Sequence, residues 1–303
     1  MAKKKTKIKL VKKLADPFVL TLLGAIVSLS ILAWLRLGPQ FKERQNQPWL
    51  KEKTDLIDKI EIKNNQEQHV LIKKEGRWLA ASEDNLPADQ DKVNQLLTSL
   101  AELKRDRLVS QNEKYHQKFG LDQENAIELK VFQGQNQLLH LLVGEPGPDF
   151  ESDYLRLPDQ KEVYLSNIAI RSHLTQPQWK NLKITKFYSD QIEKVVIQRD
   201  GQSEKEFDPE KAKDLINQLT GLQASDALPL KEEEQDQYGL NQSSLIITFK
   251  LKDNQPAVKL KLGKENDRQQ RYCQRDNEKV VYLLPSWINQ KIDQAVEQLF
   301  SAK

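Results

Sequence analysis

The sequence predicts an α+β protein, with a single amino-terminal transmembrane helix followed by two tandem, mostly antiparallel sheet-plus-helix repeat domains. Three observations carry this. An uncharged apolar run follows a lysine cluster, a long block of sequence occurs twice, and in each block alternating strand patterns surround one helical stripe.

Composition sets the limits. The 303 residues are room for about two ordinary domains. With 38% hydrophobic residues the chain is polar for a globular protein, yet too apolar to be wholly disordered. One cysteine, Cys273, excludes an intramolecular disulfide and any cysteine-built metal centre.

Residues 1–16 form a basic flank with Lys3, Lys4, Lys5, Lys7, Lys9, Lys12 and Lys13 against one acid, Asp16. The run from Pro17 to Leu35 has no charge, and as a helix it spans about 28 Å, close to the thickness of the bilayer's hydrocarbon. The predicted transmembrane helix is residues 17–36. Burying one lysine at the bilayer centre costs about 2.5–3.5 kcal/mol, so the flank belongs on the cytoplasmic side. Trp34 and Arg36 then fall at the far interface, suited to an amphipathic ring and a snorkelling cation. A cleaved signal peptide fits less well, because the best cleavage site, Ile31-Leu32-Ala33, carries a bulky isoleucine. The expected placement is a bacterial inner (cytoplasmic) membrane, with the amino terminus cytoplasmic and the bulk of the chain periplasmic.

Of the net charge of +3, the flank holds +6, which leaves −3 on everything after it. A nucleic-acid surface needs its positive charge on the folded part, so that partner is excluded.

Residues 37–55 read as a polar linker without periodicity. Beyond it the chain repeats, with repeat 1 over 56–184 and repeat 2 over 185–303. Residues 91–103 align with 210–222 at an offset of 119, as do Phe119-Gly120-Leu121-Asp122 with Tyr238-Gly239-Leu240-Asn241, and Gly144 with Gly263. At 118, Tyr154 matches Tyr272 and Val163-Tyr164-Leu165 matches Val281-Tyr282-Leu283. Upstream, residues 58–62 match 193–197 at 135, so the second copy is 16 residues shorter before its helix and lacks the counterpart of Gly76-Arg77-Trp78-Leu79.

Within each copy, Val93, Leu96, Leu97, Leu100 and Leu103, and again Ala212, Leu215, Ile216, Leu219 and Leu222, mark one apolar helical stripe. Asp89 and Asp208 are the expected N-caps. Strands are expected at 56–63, 70–73, 77–80, 127–132, 138–143, 154–157 and 163–165. Val258, Leu260 and Leu262 alternate with lysines as a half-buried strand. Turns at 133–136 and 252–255 imply antiparallel hairpins. Short helices are expected over 168–174 and 286–300.

In their order and spacing, these features resemble a bacterial family of domains of unknown function, family 4340. The features are Ile60-Glu61-Ile62, Gly76-Arg77-Trp78, Pro87-x-Asp89, the aromatic-Gly-Leu-Asx turn, Gly144, Tyr154-Leu155-Arg156 and Val163-Tyr164. Members of that family often carry one amino-terminal anchor and are encoded beside ABC-transporter subunits and gliding-motility-type proteins. The resemblance implies an accessory envelope role and supplies no catalytic residue.

No motif for a cofactor or metal stands out. The four histidines (69, 116, 140, 173) lie too far apart for a metal pair and read as surface residues. Cys273 reads as a buried small hydrophobe, and Glu232-Glu233-Glu234-x-Asp236 as a solvated run. The paired tyrosines and Gly120 and Gly239 read as core and turn positions. Trp78 fits either the core or an exposed contact with a partner. The expectation is a non-enzymatic envelope accessory or binding protein, held in the lipid bilayer by residues 17–36 and serving an ABC transporter or another envelope protein. A membrane-tethered hydrolase of an envelope polymer, with carboxylates converging between the copies, and a passive scaffold are the alternatives.

Overall fold

The computed structural model describes residues 21–22, 24–32, 46–199 and 202–301. It is an α+β structure with two antiparallel sheets, one per copy. The first copy contains β1 (Lys59–Lys63), β2 (Gln68–Lys74), β3 (Arg77–Ala80), β4 (Leu86–Pro87), α1 (Gln90–Glu102) and β5 (Arg105–Ser110). It continues with β6 (Ile127–Gln133), β7 (Asn136–Pro146), β8 (Asp153–Arg156), β9 (Val163–Ser166) and α2 (Arg171–Leu174). Its strand order is β4-β3-β2-β1-β6-β7-β8-β9-β5.

The second copy contains β10 (Ile192–Arg199), β11 (Lys205–Phe207), α3 (Lys213–Leu219), β12 (Asp226–Pro229) and α4 (Gln235–Tyr238). After these come β13 (Leu245–Leu251), β14 (Val258–Glu265), β15 (Arg271–Arg275), β16 (Val280–Leu284) and α5 (Ser286–Ser301). The order β11-β10-β13-β14-β15-β16-β12 is that of the first sheet with two strands lost at one end. The 16-residue deletion removed β3 and β4.

Alternation builds each sheet. Ile127, Leu129 and Val131 of β6 and Leu139, Leu141 and Val143 of β7 turn to the core, as do their counterparts Leu245, Ile247, Phe249, Leu260 and Leu262. The helical stripes cover this face: Val93, Leu96, Leu100 and Leu103 are buried in one copy, and Ala212, Leu215, Ile216, Leu219 and Leu222 in the other. The remaining space is filled differently. Trp49, Trp78 and Trp179 fill the first core, whereas the second packs Ile288, Ile292, Ala295 and Val296 of α5. An exposed partner contact at Trp78 is therefore corrected: it is 3% exposed and packs inside the first core.

Asp89 caps α1, accepting from the amides of Asp91 and Lys92. Asp208 does not cap α3. Its carboxylate pairs with Lys194, its carbonyl closes a turn with the amides of Lys211 and Ala212, and the helix begins only at Lys213. Two edge strands, β5 and β12, have no counterpart in the sequence expectations; β5 holds no buried residue and β12 only Ala227, so neither shows a clear alternation.

The structure also extends the first copy into the predicted linker. The Trp49 amide donates to Leu103 O (3.0 Å), as Ile184 donates to Leu222 O (2.9 Å) in the second copy. Arg105 donates to Gln47 O as Ala224 donates to Leu182 O. These pairs obey the same offsets, 135 and 119, as the sequence repeat. Trp49 is buried edge-on against Tyr164, with the Arg105 guanidinium 4.5 Å above its ring.

The repeated aromatic-Gly-Leu-Asx turn has a steric origin. Gly120 and Gly239 both sit in the left-handed region, at φ +63° and +68°. Opposite them, at the bulges of β7 and β14, a Cβ on Gly144 would lie 2.2 Å from Phe119 O, and one on Gly263 2.1 Å from Tyr238 O. Phe119 and Tyr238 then pack on Tyr154 and Tyr272, with centroids 4.5 and 4.6 Å apart.

Of the predicted membrane span 17–36, residues 21–22 and 24–32 are described, and they are helical. Among the described residues no helix is long and apolar enough to cross a membrane.

Gly144→Ala and Gly263→Ala should each lower the unfolding free energy by about 2–3 kcal/mol, because backbone oxygen cannot yield to the new methyl. Gly76→Ala, left-handed but in open space, should cost only about 1 kcal/mol. Urea denaturation of the three variants checks the contrast.

Candidate functional site

The densest polar constellation lies at the seam between the copies. The segment following α2 runs extended along both sheets. On one side Asp89 donates its amide to Trp179 O and Asn181 donates to Pro87 O, each at 2.7 Å. On the other, Ile184 and Ala224 complete the pairs already described. Side chains reinforce the strand. Lys180 pairs with Asp226 and donates to Ala227 O, while Lys183 Nζ lies 2.6 Å from Asp91 and 3.8 Å from Asp89. Leu86, at the edge of the first sheet, is buried in the second core.

Glu83 organises this seam. Its carboxylate accepts from the amides of Trp179 (2.9 Å) and Lys180 (3.4 Å), and its Oε1 lies 3.6 Å from His69 Nδ1. His69 Nε2 is 3.3 Å from Glu67. His69 is only 8% exposed, which corrects its reading as a surface histidine. The Glu83 carboxylate raises the His69 pKa above its ordinary value, outweighing burial, and Glu67 adds to the effect. Burial pushes Glu83 up, but His69 and the two linker amides outweigh it and hold the carboxyl below its usual range. The sequence could not locate this node, because Glu83 lies in the segment deleted from repeat 2 and His69, opposite Ile62, falls where repeat 2 has Lys205 opposite Ile197.

The other candidates are dispersed. Cys273 is fully buried, with its thiol pushed up to about 12 by desolvation. His140 pairs with Glu128 at 2.7 Å, His116 Nε2 lies 3.0 Å from Lys161 O, and His173 is half-buried. In the acidic run, Glu234 pairs with Lys231 and accepts from the Tyr238 hydroxyl, while Asp236 accepts from Asn241. Tyr164 and Tyr282 are core residues, and the Tyr282 hydroxyl donates to Glu278. Lys3, Lys4, Lys5, Lys7, Lys9, Lys12, Lys13, Trp34 and Arg36 lie outside the described residues.

Chemically, the arrangement joins rather than activates. Asp153 is the one described carboxylate held above its usual range. Burial raises it, and its oxygens accept from the amides of Ile170 (2.5 Å) and Arg171 (2.7 Å) inside the first copy. Glu83, Asp91, Glu128, Glu206 and Asp208 are each lowered and paired with a basic side chain, and Asp149 is lowered by the Ser152 hydroxyl. Two depressions of about 470 Å³ open on single copies. One lies beside Asp122, Glu128 and Arg156, the other beside Lys231, Lys261 and Gln274. The Arg156 guanidinium is occupied by the carbonyls of Leu121, Leu157 and Pro158, so it locks the aromatic-Gly-Leu-Asx turn. Among the described residues no group of three His, Cys, Asp or Glu side chains could hold a metal ion.

The seam carries a pH dependence whose sign follows from both shifts. The raised His69 stabilises the fold fully below its unfolded value near 6.5, and this is lost as pH rises through the folded pKa. The lowered Glu83 contributes above about 4.5, and this is lost as pH falls through its folded pKa. Stability from the pair therefore peaks between these values. His69→Gln should flatten the decline above pH 6.5, and Glu83→Ala should cost about 1–3 kcal/mol by stranding two amides. Thermal unfolding from pH 4 to 9 reads both.

No curated protein and no solved structure matches the chain significantly. The model of one family, "Domain of unknown function (DUF4340)", matches residues 78–212 and again 201–302, one match falling mainly on each copy. With turn, bulge and strand order duplicated and the family model matching twice, the chain belongs to the DUF4340 family.

Proposed function

We propose that the protein is a single-pass, membrane-anchored accessory of the bacterial envelope. Its two copies form a non-catalytic binding body on the periplasmic side and serve an ABC-type transport system. The observation that carries the anchoring is the apolar helix at residues 24–32. Ile26, Val27, Leu29, Ile31 and Leu32 are each more than half exposed, and Ser28 and Ser30 turn their hydroxyls onto Ala25 O and Ile26 O of the same helix. Such a surface costs free energy in water and is matched by lipid, where a hydroxyl must find its partner within the helix. The lysine flank sets the orientation.

Two features of the folded part favour binding over hydrolysis. The hydrolase alternative needs carboxylates converging in a cleft between the copies, with one of them raised. Instead, the seam is closed by backbone pairing, Glu83 and Asp91 are lowered, and each seam carboxylate has a basic partner. A tether beside a partner raises effective concentration, so modest contacts suffice. The assignment to a transport system comes from the family resemblance.

A reporter that functions only outside the cytoplasm, fused after Lys303, should be active, and a reporter active only in the cytosol overturns the orientation. Affinity purification of the full chain from detergent-solubilised membranes should recover transporter subunits. Reproducible recovery of nothing overturns the accessory role.

A further inference from the structure

The loop between β7 and β8 presents an aromatic side chain that the fold does not require. Phe150 sits at its tip, 79% exposed, with φ +59°. The loop is pinned. Gly147 donates to Ser152 O (2.7 Å), Phe150 donates to Gly147 O (3.1 Å), and Asp149 Oδ1 accepts from the amides of Glu151 and Ser152 and from the Ser152 hydroxyl. A left-handed backbone is costly for a bulky residue, and a ring in water adds to that cost.

The second copy supplies an internal control. At the offset of 119 the same tip is Gln269, also exposed and left-handed at φ +60°. Its amide donates to Asn266 O (2.9 Å), the counterpart of the Phe150–Gly147 bond, and Asn266 Oδ1 pins the loop from within. The repeat therefore demands this backbone shape and accepts glutamine there. Phenylalanine in the first copy is not explained by folding, and a strained, exposed residue on a rigid loop is typical of contact sites.

The charges around it define the partner. Asp149 and Glu151 flank the tip and are exposed, and no basic residue lies between Gly144 and Tyr154; Glu145, further back, is paired with Arg171 at 3.7 Å. We propose that Phe150 is the anchor of a protein-docking knob that inserts into an apolar pocket rimmed by lysine or arginine on an envelope partner. Anionic lipid headgroups would repel the two flanking carboxylates, so the occupant is protein rather than membrane. This rests on the binding role proposed above and names its contact.

The test places a photo-crosslinking phenylalanine analogue at 150 or at 269 in the full chain, in the membranes of cells that make it. The expected result is a discrete protein adduct from position 150, about 10-fold stronger than from 269. Its mapped site should be apolar and flanked by basic residues, and Glu151→Lys should weaken it about 10-fold. Equal adducts from both positions, an adduct with lipid or with a second copy of this chain, insensitivity to Glu151→Lys, or no adduct would each overturn the proposal. Phe150→Gln, which installs the second copy's own residue, should keep the unfolding temperature unchanged while purification loses the crosslinked protein. If that variant still recovers the same partner undiminished, the accessory role stands and this contact falls.

Discussion

The whole body depends on one short extended segment, residues 179–184, which spends its backbone hydrogen bonds on both copies. Its first half is accepted by the edge of the first sheet at Pro87 to Asp89, and its second half pairs with residues 222–224. An amide left unpaired at a closed seam costs more than a typical bond contributes, so the segment cannot leave one side cheaply. Leu86 crosses into the second core, and Trp179 from the segment fills the first. The two copies are thereby one folded unit rather than beads on a string.

This geometry also separates the outer edges of the two copies. A following copy would need an edge like β4 and the turn after it, which offer a carbonyl at Pro87 and an amide at Asp89. The second copy lost β3 and β4, and its sheet ends at the three-residue β11. In their stead α5 lies beside α3, with Phe300 stacked on Phe207 and Lys205 over its ring. The helix covers apolar surface there, and its backbone bonds are spent within the helix rather than offered to a further strand. The deletion that distinguishes the copies thus also changes what that edge can pair with.

The asymmetry between the two copies separates what the shared fold requires from what it does not. Where both keep a residue type, as at Gly144 and Gly263 or Tyr164 and Tyr282, the position serves the fold. Where they part, as at Phe150 and Gln269 or at His69 and Lys205, the shared fold does not dictate the residue. The charged groups at the seam follow the same logic: Glu83, Asp89 and Asp91 are matched by His69, Lys183 and two backbone amides, an arrangement for joining surfaces rather than for moving protons.

The sequence by itself determined the duplication, the α+β class, the helix stripes and the central strands, because periodicity and offset are local or colinear signals. The cap at Asp89 and the turns at Gly120 and Gly239 were legible for the same reason. Only the tertiary structure decided what short, aperiodic stretches do. Trp49 and Leu50 read as linker until their burial beside Leu103 was seen, the edge strands β5 and β12 alternate too little to declare themselves, and Trp78 could have faced either way. The His69–Glu83 node joins residues fourteen positions apart to amides nearly a hundred further on, a meeting fixed by chain topology. Burial and pairing across such distances are properties of the packed chain, and no local pattern encodes them.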